Sequence, residues 1–207
     1  LLSSRCCDEP RRQASLTAPF VRDVLEEQGW KVKDLDAVCV GKGPGSYTGL
    51  RVGVSTAKGL CFGAGIPLLS VGTLDTLLSE AHRLGVLPEG CRYVVPMVDA
   101  RRMEVYSAVF TPEGKQLTET RPVIVDGDSF REELAKGLVL FIGDGALKCR
   151  ETLASENAFF TEAFPTAMAM APLAEALYNE KRFEDVAYFE PFYLKDFVAT
   201  VSRKKLF

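Results

Sequence analysis

Apolar and polar positions along this chain repeat with two periods, and the switches between them lay out its elements. Leu16, Phe20, Val21, Val24 and Leu25 recur at helical spacing. They predict an amphipathic helix that stops at Gly29, with Pro19 near its beginning. Polar residues follow to Asp36. Ala37–Val40 is a short apolar run with the length of a buried strand. A turn rich in glycine leads into a second helix, capped by Ser46 or Thr48 and reaching about Ala64, with Gly63 or Gly65 at its end and Pro67 beyond. Pro67–Val71 reads as a strand. Thr73–Leu84 reads as a helix with Leu74, Leu77, Leu78 and Ala81 on one stripe and Gly85 as its stop.

From about Arg92 the period shortens. Tyr93–Val98 and Glu104–Phe110 are expected strands joined by a turn at Asp99-Ala100-Arg101-Arg102. Thr111–Lys115 is a second turn, and Gln116–Val125 a further expected strand. Ser129 is expected to start a helix to about Lys136, Leu138–Ile142 to be a buried strand ended by Gly143-Asp144-Gly145, and Glu151 to lie on a short helix. Phe159–Phe164 should be extended, and Thr166 should cap a helix through Met168, Ala171, Leu173, Ala174 and Leu177. Val186–Leu194 and a basic tail close the chain. This mixed order predicts α/β layers in two lobes, 1–91 and 92–207.

Composition narrows the classes. The 207 residues are 47% hydrophobic and 26% charged, ordinary for a globular protein. No apolar run approaches the roughly 20 residues that span a bilayer, and no signal peptide opens the chain, which starts at Leu1. A net charge of −3 argues against a dominant nucleic-acid surface. Ser202-Arg203-Lys204-Lys205 is either a local RNA contact or a solvated tail. Six cysteines without a C-x-x-C pair, and one histidine, argue against a zinc site and predict reduced thiols in the cytoplasm. Cys39 and Cys61 sit in apolar contexts, as core residues do. Cys6-Cys7 is an expected exposed pair.

The stretch 37–66 concentrates the candidate chemistry. Gly41, Gly43 and Gly45 flank Lys42 and Pro44. A glycine-rich turn feeding a helix N-terminus offers backbone N–H groups and a positive dipole end to an anion. The alternative is a tight strand-to-helix connection, and no Walker lysine follows. The helix carries two rows of small residues, Gly49–Gly53–Ala57 and Ser55–Gly59–Gly63, with Leu50, Val54, Leu60 and Phe62 as bulk. Such rows permit close helix contact. Gly45-Ser46-Tyr47-Thr48-Gly49 lacks the spacing of a nucleophile elbow, and any triad would need His82, which reads as a surface residue on its helix. Asp99, at a strand end, is either a magnesium or water-orienting carboxylate or a turn residue bonding its own backbone and Arg101. Gly143-Asp144-Gly145 is likewise a phosphate-binding turn or a structural one.

The run Gly-x-Gly-Pro-Gly-Ser-Tyr-Thr-Gly-Leu-Arg-x-Gly at 41–53, continuing to Ala57-Lys58-Gly59-Leu60, resembles the signature of the TsaB (YeaZ) family, relatives of the Kae1/TsaD proteins. The resemblance extends through Val71-Gly72-Thr73-Leu74, Asp99-Ala100-Arg101, Glu104-Val105-Tyr106, Gly143-Asp144-Gly145, Pro191-x-Tyr193-Leu194 and Phe197-Val198-Ala199-Thr200. It implies the duplicated two-lobe actin-like ATPase fold, of the ribonuclease H-like class. Family members open with a strand and hairpin bearing an Asp-Thr-Ser-like turn. This sequence enters almost at the helix that follows, so that hairpin is missing from it.

The resemblance also implies a non-catalytic scaffold: a partner of TsaD, which holds the metal and transfers threonylcarbamoyl to an adenosine of ANN-decoding tRNAs. A TsaE-like ATPase joins the complex, the chain pairs with itself when alone, and tRNA is met only indirectly. Carried onto this sequence, the partner interface is Leu16, Phe20, Val24, Tyr47, Leu50, Arg51, Val54 and Lys58. A nucleotide or phosphate loop would draw on Gly43, Gly45, Ser46, Asp99, Gly143 and Gly145, with no intrinsic cofactor but ATP or ADP at the interface with TsaD. No catalytic residue and no metal ligand are expected. The competing reading is an enzyme, either an ATP-binding ATPase or kinase of the same fold, or a metallo-glycoprotease.

Overall fold

The computed structural model describes residues 1–7, 9 and 12–194. The basic tail and Phe197–Thr200 lie outside the described residues. Helix α1 spans Gln13–Gln28 and is closed by Gly29 in the left-handed conformation. Strand β1 (Val38–Gly43) leads to α2 (Tyr47–Ala64), β2 (Leu68–Gly72) and α3 (Thr73–Leu84). β1 and β2 pair in parallel, as a strand–helix–strand unit requires. β3 (Cys91–Asp99), β4 (Glu104–Ser107), β5 (Arg121–Ile124), α4 (Arg131–Lys136), β6 (Leu138–Ile142), β7 (Ala158–Thr161) and α5 (Ala167–Asn179) follow.

A five-stranded sheet in the order β5-β4-β3-β6-β7 holds the larger core. β3, β6 and β7 run parallel, while β4 and β5 are antiparallel additions. Strand alternation divides this core in two. Val94, Val98, Leu140 and Ile142 point to α3 and meet Leu74, Leu77, Leu78 and Ala81. Val95, Met97, Val139 and Phe141 point the other way, onto Ala146, Cys149 and Leu153. Burial on both faces explains why β3 and β6 read as continuous apolar runs rather than alternating ones. A smaller cluster joins Ala57, Cys61 and Leu68 to Val38, Val40, Val186 and Phe189. α5 packs on α3 and β2, and α1 lies against α2.

Four expectations need correction. Glu104–Phe110 is a regular strand only over Glu104–Ser107, with Phe110 making a separate antiparallel bridge to Val94. Gln116–Val125 is a strand only over Arg121–Ile124, because the Thr118 hydroxyl, rather than a ladder carbonyl, accepts the Val109 N–H at 2.9 Å. Ser129 does not start α4. Its hydroxyl accepts from the Asp126 N–H and donates to the Asp126 carboxylate, closing a turn, and Phe130 stands before the helix with φ 58°. Glu151 lies on a turn, the local helix being a single 3-10 turn at Leu147–Cys149.

Candidate functional site

β1 delivers the chain to α2 through Gly43, Pro44 and Gly45. The Ser46 hydroxyl accepts from the Gly49 N–H at 3.4 Å and caps the helix. Gly43 has φ 104°, and a Cβ there would lie 2.9 Å from the Phe192 carbonyl oxygen and 3.0 Å from Leu50 Cδ1. The Phe192 N–H donates to the Lys42 carbonyl at 2.7 Å. Glycine at 43 is therefore required by the close approach of α2 and of segment 184–193.

Asp99, Gly143 and Gly145 assemble elsewhere, at the carboxyl ends of β3 and β6. Gly145 N–H donates to the Met97 carbonyl at 3.0 Å, and the Asp99 N–H to Asp144 Oδ1 at 2.9 Å. Gly143, at φ 132°, sits where a Cβ would be 2.2 Å from the Met97 oxygen. Asp99 Oδ1 accepts from the Arg101 N–H at 2.9 Å and from Lys148, whose ammonium also donates to the Glu104 carbonyl at 2.7 Å. Burial pushes the Asp99 carboxyl up, but the Lys148 and Arg101 hydrogen bonds and charges outweigh it and hold it below the usual value. Desolvation pushes Asp144 up, the Asp99 N–H opposing and the Asp99 charge adding. This arrangement anchors a hairpin whose tip, Arg101 and Arg102, has positive φ at both residues. The phosphate-loop candidates thus fall into two groups, Gly43, Gly45 and Ser46 in one and Asp99, Gly143 and Gly145 in the other.

A cleft of about 600 Å³ lies beside β2, lined by Lys42, Ser70, Asp75, Leu177 and Glu184 among others. The Ser70 hydroxyl donates to the Glu184 carboxylate. Burial raises the Asp75 carboxyl, and the charge of Lys42 offsets it in part. His82 Nε2 lies 2.6 Å from the Pro112 carbonyl, so the one imidazole is engaged by backbone.

The faces of α2 now separate. Ala57 and Val54 are buried, and Gly53 faces Val40 of β1, so Gly53 and Ala57 of the first row serve the chain's own packing. Leu50 is half-buried over Gly43, and Leu16, Phe20 and Val24 of α1 are half-buried as well. Tyr47 lies against Tyr193 with ring centroids 5.0 Å apart and planes tilted by 37°, and the exposed Arg51 guanidinium lies 5.6 Å from the Tyr47 centroid. Lys58 donates to the carbonyls of Ala187 and Phe189 at 3.1 and 2.9 Å. The other row points outward: Ser55, Gly59 and Gly63 are exposed, and nothing lies within 4 Å of a Cβ built on either glycine. Phe62 beside them is 85% exposed. Phe62 was not among the expected interface residues. Its place on the outer face follows from the spacing 55, 59, 62 and 63, which lies on one side of a helix.

A family model described as "TsaD: tRNA N6-adenosine threonylcarbamoyltransferase" matches residues 10–202. The chain is 30% identical over 198 residues to the "tRNA threonylcarbamoyladenosine biosynthesis protein TsaB" of Escherichia coli, across 92% of this chain and 84% of that protein. The chain belongs to the TsaB (YeaZ) family. The TsaB protein of Haemophilus influenzae is 29% identical over 200 residues, across 91% of this chain and 80% of that one. Among solved structures, a Pseudomonas aeruginosa protein described as similar to peptidase YEAZ superposes with a TM-score of 0.77 at 26% identity, covering 90% of this chain and 86% of that one. YeaZ from the same organism gives 0.75 at 25%, covering 88% and 85%. The TsaB-family chain has the actin-like, ribonuclease H-like α/β fold. No helix among its described residues is long and apolar enough to cross a membrane.

Proposed function

We propose that this chain is a non-catalytic partner subunit in the synthesis of N6-threonylcarbamoyladenosine in tRNA, binding and supporting a TsaD-like protein. The observation that carries the reading is the outer face of α2, where Phe62 and a row of small residues stand open beside Arg51. A large aromatic next to small residues suits a helix from another protein, since it offers apolar burial and close backbone approach together. The sequence holds one histidine, and this reading gives the metal and the catalysis to the partner. A TsaE-like ATPase joins the pair, the chain dimerises through the same face when alone, and tRNA is reached through the complex. ATP or ADP, where it acts, sits at the interface with the TsaD-like protein. The setting is cytoplasmic. Titration of the chain with its cognate TsaD-like protein tests this: a stable complex is expected, and no association together with normal modification in a deletion strain would refute it.

A further inference from the structure

Segment 184–193 has little regular structure, yet side chains and backbone tie it down along its length. The Glu184 N–H donates to the Leu68 carbonyl at 2.8 Å, extending the edge of β2. Asp185 closes the next turn by accepting from the N–H groups of Ala187 and Tyr188 at 2.8 and 3.2 Å. Val186 and Phe189 pack onto the cluster of Ala57, Cys61 and Leu68. The carbonyls of Ala187 and Phe189 then converge on one ammonium, Lys58 of α2. Beyond that pin, Phe192 reaches Lys42 and Gly43, and the Tyr193 ring lies tilted against Tyr47, over which Arg51 lies.

We propose that Lys58 is a positioning residue: by holding the Ala187 and Phe189 carbonyls it fixes segment 184–193 as a strap, and through the strap the Tyr193–Tyr47–Arg51 contact that shapes the N-terminal end of the α2 outer face. The strap therefore sets that end of the face in a binding-ready arrangement. The part of this inference that concerns the partner rests on the function proposed above. Lysine suits the task because its long apolar stem runs along the helix while its three donors can serve two carbonyls at once. The contact suits the task because the Tyr193 ring restrains Tyr47 and the cation–π contact restrains Arg51, a guanidinium whose own rotamers are otherwise numerous. Burial raises the Tyr193 phenol, with Tyr47 and the Glu190 charge adding and Arg51 opposing.

The test uses the full chain as wild type, Lys58→Met, Tyr193→Ala and the double variant. Lys58→Met keeps the stem and removes the donors. Hydrogen exchange of the Phe192 N–H is expected to accelerate in Lys58→Met while the amides of β3 and β6 stay protected. The tyrosine absorbance titration of Lys58→Met should differ from that of the wild type, and the difference should be absent between Tyr193→Ala and the double variant. Affinity for the TsaD-like protein should fall in each single variant by on the order of fivefold, the cost of re-ordering a loosened face. The double variant should bind no more weakly than the worse single one, because both act through one path. Unchanged exchange and an unchanged titration in Lys58→Met would overturn the inference whatever the partner does. Additive losses in the double variant would overturn it too. Should the wild type fail to bind the TsaD-like protein at all, the proposed function falls, and exchange and titration alone decide the positioning role.

Discussion

Glu80 Oε2 accepts from the Thr166 hydroxyl at 2.9 Å, while that hydroxyl accepts from the Ala169 N–H at 3.2 Å. One carboxylate on α3 thereby sets the N-cap of α5, a helix more than eighty positions later in the chain. Arg83 supplies the charge: its guanidinium makes two hydrogen bonds to Glu80 at 2.8 and 2.6 Å. The Glu80 side chain is only 4% exposed. Among buried charges this one is paired and hydrogen-bonded, as burial demands.

Thr166→Ala should therefore destabilise the fold by about 1 kcal/mol through loss of the cap alone, measured by urea unfolding at neutral pH. Glu80→Gln should show a pH signature. The Arg83 hydrogen bonds hold the Glu80 carboxyl below its ordinary value of 4.5, against the opposing effect of burial. Its contribution is then fully present above that value and is lost as pH falls through the lowered folded-state value. The stability gap between wild type and Glu80→Gln should be constant from pH 7 to 5 and shrink as pH falls below 4.5 through the lowered folded-state value. A gap independent of pH would mean that the carboxylate is not what matters.

Two glycines predict opposite responses to the same substitution. Gly143→Ala forces a Cβ onto the Met97 carbonyl at a φ of 132° and should cost on the order of 3 kcal/mol. Gly59→Ala meets open space on a helix and should stabilise by up to about 1 kcal/mol. Thermal unfolding of both variants checks the assignment of Gly143 to a packed turn and of Gly59 to an open face.

Nucleotide binding separates the partner reading from the enzyme reading. Gly43 is closed over by Leu50 and Phe192, and Ser46 is committed to its cap. Calorimetry of the isolated chain with Mg-ATP is expected to show no micromolar binding. Micromolar binding abolished by Asp99→Ala would instead favour an ATPase or kinase of this fold.

What could be read in advance depended on how local the governing interaction was. α2 and its caps at Ser46 and Gly65, α3 over Thr73–Leu84, and β6 over Leu138–Ile142 follow from signals within a few residues. The fate of Gln116–Thr120 depended on Thr118 meeting Val109, which strand propensity does not encode. Tyr47, Arg51 and Lys58 stood in the motif, but their internal roles come from residues 187–193, more than a hundred positions away. Helical spacing alone could have placed Phe62 with Ser55, Gly59 and Gly63. Which of the two small rows looks outward depended on where β1 lies, and only the fold supplies that.

The outer face of α2 is the central claim, and Phe62→Asp tests it most directly. The side chain is 85% exposed, so the variant should fold with wild-type stability. Sedimentation of wild type and variant, each mixed with the cognate TsaD-like protein, should show a heterodimer for the wild type and separate species for Phe62→Asp. A heterodimer of equal affinity in both mixtures would contradict the account.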